Sequence, residues 1–170
     1  MAPNPDPLIV TAHLDDASFA VLDGLRRRHF PAKLNKIPAH VSLFHQLPDA
    51  ELESVRATLT AACRDTEPFA MAPTELRFLG RGVAIAYASR ELAQLHGRLA
   101  QAWTGWLSPQ DRQGFRAHVT VQNKVESKVA RALLETLRDE LEPPTCRVEG
   151  LDLWRYLGGP WAHVETCHFG

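Results

Sequence analysis

Two segments of the chain repeat each other, and this repeat restricts the fold more than any other feature. Residues 39–59 read A-H-V-S-L-F-H-Q-L-P-D-A-E-L-E-S-V-R-A-T-L, and residues 117–137 read A-H-V-T-V-Q-N-K-V-E-S-K-V-A-R-A-L-L-E-T-L. Each runs through alanine, histidine, valine, a hydroxyl residue and an aliphatic residue into a polar turn and an amphipathic helix pattern. The histidines, His40 and His118, stand nearly half a chain apart, so a duplicated, pseudo-twofold arrangement of strand–helix units is expected. Strand-like stretches at 74–79 and 83–88 flank Gly80-Arg81-Gly82, and two more flank Gly158-Gly159-Pro160; both read as hairpins. Hairpins pair antiparallel, which excludes a doubly wound parallel sheet. Neither common glycine-rich phosphate loop occurs in the chain.

The remaining elements interleave with these. Residues 8–12 form a short apolar strand pattern. Asp15 and Asp16 offer an N-cap to a helix carrying Phe19, Leu22 and Leu25, which ends in Arg26-Arg27-Arg28-His29, a basic run read as a solvated helix end. A strand is expected over 39–45 and a helix from Pro48-Asp49. Ser89 is expected to cap a third helix with Leu92, Leu95, Leu99, Trp103 and Trp106 facing the core. A loop over 108–114 leads to a strand over 115–123. Ser127 is expected to cap a fourth helix, stopped by Pro143-Pro144.

A chain of 170 residues suits one domain. Apolar residues at 45% and charged residues at 23% are an ordinary globular composition. Nineteen Lys and Arg against twenty Asp and Glu leave a net charge of −1, which disfavours a binder of long phosphate backbones but not of a small phosphorylated ligand. No apolar run is long enough to span a membrane. The N-terminus lacks a signal-peptide pattern. Cys63, Cys146 and Cys167 suggest no disulfide framework, and a reducing compartment, the cytoplasm, is expected.

Strand geometry gives the repeats a chemical content. Alternate side chains share a face, so His40, Ser42 and Phe44 are expected on one side of the first strand, and His118, Thr120 and Gln122 on one side of the second. If the strands meet near a pseudo-twofold axis, two imidazoles and two hydroxyls line one cleft. One imidazole can accept a proton from a nucleophile while the other donates to a leaving oxygen. The hydroxyls can hold the non-bridging oxygens of a phosphate. Phosphodiester chemistry fits this set and needs no metal.

The pair of H-x-[ST]-hydrophobic motifs, H-V-S-L at 40–43 and H-V-T-V at 118–121, resembles the 2H phosphoesterase superfamily, which includes the 2′-5′ RNA ligases and cyclic nucleotide phosphodiesterases. The resemblance covers nearly the whole chain. It implies an α+β, bilobal fold, with antiparallel sheets lining a central cleft and helices outside, residues 1–170 forming a single domain of two intertwined lobes. It implies His40 and His118 as the catalytic acid–base pair and Ser42 and Thr120 as phosphate-binding residues. The reaction implied is opening or hydrolysis of a 2′,3′-cyclic phosphate or a 2′-5′ phosphodiester of a nucleotide or RNA end, the cyclic phosphate typically leaving a 2′-phosphate. The alternatives are 2′-5′ RNA ligation, or binding of a nucleotide or RNA end without turnover. The ligase subgroup usually has a proline before the second histidine and an arginine soon after the motif; here stand Ala117 and Gln122-Asn123-Lys124.

Further residues complete the expected site. Phe44 suits base stacking, and a place in the core equally. Gln122, Lys124 and Arg116 are candidate substrate contacts, and Lys33, Lys36 and Arg112 are nearby loop cations. His13 ends the first strand where it can border the cleft. Trp154 and Tyr156 are open between cleft and core. His163, Glu165 and Cys167 share a strand face, which makes a metal-dependent hydrolase the competing reading, although the spacing is unlike that of common zinc sites. The expected set is a nucleotide or RNA-end substrate, no membrane, no metal or other cofactor, and a monomer.

Overall fold

The computed structural model describes residues 6–170; Met1–Pro5, most of the N-terminal stretch assessed for a signal peptide, lie outside the described residues. Strand β1 (Leu8–Leu14) is buried along almost its whole length, as an apolar β-branched run between two neighbours should be. Asp15 then caps helix α1 (Asp16–His29), its carboxylate accepting from the Ser18 N–H at 3.0 Å. Strand β2 (Ser42–Leu47) leads through a 3-10 turn to helix α2 (Leu52–Arg64). Strands β3 (Phe69–Phe78) and β4 (Val83–Ala88) make the first hairpin, and Ser89 caps helix α3 (Arg90–Ala102) by accepting from the Leu92 N–H. A single helical turn, α4 (Pro109–Arg112), precedes strand β5 (His118–Gln122) and helix α5 (Ser127–Glu140). Strands β6 (Cys146–Tyr156) and β7 (Trp161–His168) make the second hairpin.

The strands run in the order β2-β1-β6-β3-β4-β5, with β7 also paired to β6, and every pairing is antiparallel. Strand β3 joins the two halves of this sheet: Phe69–Met71 pair with β6, and Ala72–Phe78 pair with β4. Among the described residues the result is a mixed α+β fold with a seven-stranded antiparallel sheet and five α-helices. Its core gathers Leu22 and Leu25 of α1, Val55 and Leu59 of α2, Leu92, Leu95 and Leu99 of α3, and Leu134 and Leu137 of α5, packed against β1, β4 and β5. No helix among the described residues is long and apolar enough to cross a membrane.

Both hairpin turns rely on glycine. Gly80 and Gly158 each adopt φ of +89°, a conformation costly to any residue with a Cβ. Gly82 serves a different need: a Cβ there would lie 1.9 Å from the carbonyl oxygen of Gln122, so its bare backbone lets β5 close against the hairpin.

Several element boundaries differ from the sequence expectation. Strands β2 and β5 begin at Ser42 and His118, not at residues 39 and 115. The loop expected over 108–114 contains α4, capped by Ser108 through the Asp111 N–H. Ser127 is not the N-cap of α5; Glu126 holds that position, and the Ser127 hydroxyl donates to the Gly80 carbonyl at 2.8 Å. The basic run ending α1 is not wholly solvated, because Arg26 is buried.

Candidate functional site

Both motif histidines are half-buried, and both are held by the same local bond. The Nδ1 of His40 lies 2.8 Å from the Pro38 carbonyl oxygen, and the Nδ1 of His118 lies 2.9 Å from the Arg116 carbonyl oxygen. A carbonyl only accepts, so in each ring Nδ1 carries the hydrogen and donates. Each ring therefore keeps Nε2 for other partners. In both copies the acceptor sits two residues upstream, in the extended segment just before the strand. This repeat of geometry is the structural counterpart of the repeat in sequence.

Burial pushes the pKa of His40 down from 6.5 to about 4, the Pro38 carbonyl opposes this, and the positive charges of Arg26, His118 and His45 push it further down. His40 is thus a neutral imidazole at neutral pH. It also packs against Trp161, with ring centroids 4.7 Å apart.

Ser42 and Thr120 are half-buried, and their hydroxyls have no hydrogen-bond partner among the described residues. Ser42 and His118 line one cavity of about 260 Å³ with Arg77, Arg116, His45 and Asp111. His40 lines a second cavity of about 300 Å³ with His13, Asp152, Trp154 and His163. In that second cavity His13 Nδ1 meets Asp152 at 2.9 Å, and the Trp154 indole N–H donates to the Thr11 hydroxyl at 2.9 Å. His13 and Trp154 thus border the cleft region, whereas Tyr156 is exposed.

The parity reading of the first strand needs a correction. On β1, Val10 and Thr11 are adjacent, but their partners Phe44 and Ser42 are two apart, so Leu43 is an extra residue in β2. This β-bulge reverses which side chains face inward beyond it. Phe44 becomes fully buried, stacked on His96 at 4.6 Å and edge-on to Trp103 at 4.9 Å. It is a core residue and has no face free for a base. His45 takes the cavity side instead.

His45 was missed in the sequence because its partner is remote. Its Nδ1 lies 2.8 Å from Asp111 of α4, its backbone N–H reaches both oxygens of that carboxylate at 3.0 Å, and the Gln46 N–H adds a bond at 3.1 Å. Burial raises the Asp111 pKa, but the His45 ring and these N–H groups outweigh it and hold the carboxyl below its ordinary value. The only local hint was a short Ser108-Pro109 helix start that places Asp111 in its first turn.

Other expected contacts fall elsewhere. Gln122 is buried, and its Oε1 has no hydrogen-bond partner among the described residues. Lys124 lies just after β5, at φ of 65°, past the end of the strand opposite His118, and it is not among the residues lining the His118 cavity. Arg116 is exposed beside His118 and lines its cavity. The residues of the imagined metal site turn to separate partners: His163 to Thr166, Glu165 to Arg56, and Cys167 toward Cys63. No cluster of three metal-binding side chains occurs among the described residues.

Comparison with known proteins agrees with the fold. A model of the 2′-5′ RNA ligase superfamily matches residues 14–160. Among solved structures, TT0787 of Thermus thermophilus superposes with a TM-score of 0.68 at 17% identity, over 96% of this chain and 97% of that one. LigT of E. coli complexed with 3′-AMP gives a TM-score of 0.60 at 18% identity, over 97% of this chain and 98% of that one. At these identities the likeness establishes the fold. No curated protein sequence matches the chain.

Proposed function

The chain belongs to the 2′-5′ RNA ligase superfamily, and on that premise we propose that it is a metal-independent phosphoesterase acting on a 2′,3′-cyclic phosphate or a 2′-5′ phosphodiester of a nucleotide or RNA end. The observation that carries this reading is the matched pair of imidazoles. His40 and His118 each donate Nδ1 to a carbonyl two residues upstream, which leaves each Nε2 for proton transfer.

The role of His40 follows from charge. His40 is kept neutral by burial and by neighbouring positive groups, so it is the base. Its Nε2 takes the proton of an attacking water as the water oxygen bonds to phosphorus. His118 donates from Nε2 to the ribose oxygen as the P–O bond breaks, and a 2′-phosphate remains. The unpartnered hydroxyls of Ser42 and Thr120 donate to the non-bridging oxygens, where fixed donors stabilise the charge that builds up in the transition state. That LigT has been crystallised with 3′-AMP, with phosphate and with ATP supports a nucleotide or phosphate ligand for this fold.

The test is a screen of 2′,3′-cyclic mononucleotides, 2′-5′ dinucleotides and cyclic-phosphate-ended RNA without added metal. Turnover with a 2′-phosphate product supports the reading, and no turnover of any of them rejects it.

A further inference from the structure

We propose that the cavity carrying His118 and Ser42 is an anion subsite in which Arg77, Arg116 and His45 take a second phosphate, distinct from the one that reacts. This rests on the phosphoesterase reading and narrows its substrate class to nucleotides that carry at least two phosphates.

The first observation is the state of the arginines. Arg77 of β3 and Arg116 both line this cavity, and neither guanidinium has an ion pair or hydrogen bond among the described residues. Arg56 and Arg155, by contrast, are engaged by Glu165 and Asp49. Two unpaired guanidiniums lining one cavity offer donor forks suited to phosphate oxygens.

The second observation is the orientation of His45. Its Nδ1 edge is fixed to the Asp111 carboxylate, whose side chain is 1% exposed, while the His45 side chain is 38% exposed. The edge left to the cavity is therefore the one bearing Nε2. Asp111 is the only carboxylate among the cavity-lining residues, and it already accepts from His45 and two backbone N–H groups. It fixes His45 without meeting an incoming anion.

The cavity that carries His40 supplies the contrast. Its wall around His40 carries Asp16 and Asp152, and no lysine or arginine. A second phosphate would meet repulsion there and attraction on the His118 side.

Calorimetry with adenosine 2′-monophosphate and adenosine 2′,5′-bisphosphate tests this on the intact protein. The bisphosphate is expected to bind about tenfold tighter or better, a difference of about 1.4 kcal/mol. The ratio should fall toward unity in the Arg77→Met/Arg116→Met variant and shrink as salt rises. Asp111→Asn should reduce the ratio while Asp111→Glu partly restores it, as expected of a positioning residue. A dinucleotide ending in a 2′-phosphate separates the two sources: its second phosphate is an internucleotide diester, whereas the bisphosphate offers a terminal monoester. Equal affinity for all three ligands in the wild-type protein overturns the subsite, even if cyclic phosphates are opened. A clear preference for the second phosphate with no cyclic phosphate opened would instead leave the subsite standing and overturn only the reaction.

Discussion

Arg26 donates from Nη1 to the carbonyl oxygen of Thr120 at 2.9 Å, joining helix α1 to the strand that carries the second motif. Arg26 is 4% exposed; its guanidinium also donates to Asn35 at 2.9 Å and lies 4.2 Å from the centre of the Phe30 ring. Its charge is one of those that keep His40 neutral.

Replacing Arg26 with methionine leaves the Thr120 carbonyl and Asn35 without their donor. The expected cost is about 1–3 kcal/mol in urea unfolding. The His40 titration midpoint, followed by NMR, should rise toward 6.5. A midpoint that stays put would show that the Arg26 charge does not reach His40.

His40→Ala and His118→Ala should each lower turnover of the responsive substrate by about 10²–10⁴. Far-UV circular dichroism should be unchanged in both. Full activity in either variant removes that ring from the reaction.

The pH dependence has a definite sign. The native His40 titrates at about 4 against an ordinary 6.5, so between these values the unfolded chain binds more protons. Stability from this group is full above 6.5 and is lost as pH falls toward 4. His40→Gln should flatten that slope in denaturation series. In kcat/KM, the acidic limb should fall near 4; a limb at 6.5 would show that burial and the neighbouring positive charges do not depress the His40 pKa, and would leave its role as base in place.

Phe44→Ala should destabilise the protein by about 3–5 kcal/mol, as truncation of a buried aromatic does. Denaturant midpoints measure this. A base-stacking residue on an open cleft wall would show little change in stability and a raised KM instead.

EDTA should leave turnover intact if His40 and His118 carry the proton transfers. A loss that zinc restores would point to metal chemistry and overturn the two-imidazole mechanism.

Much of this fold is written in short-range patterns. The caps at Asp15 and Ser89, the glycine turns at 80–82 and 158–160 and the helical stripes of α2, α3 and α5 depend on residues within a few positions of one another. The paired motifs were legible for the same reason, since each is a five-residue pattern followed by a helix. Residues 40, 42, 118 and 120 could therefore be singled out before any coordinates.

What escaped depends on partners far along the chain. The bulge at Leu43 arises from the pairing of β2 with β1, and it buries Phe44 while turning His45 to the cavity. The Asp111 partner of His45 lies 66 residues away, and the Thr120 partner of Arg26 lies 94 away. Side-chain periodicity fixes faces only while the ladder is regular, and it says nothing about which remote group closes on a given atom. Register, burial and the field around an imidazole are properties of packed neighbours, so they come into being only when the chain folds.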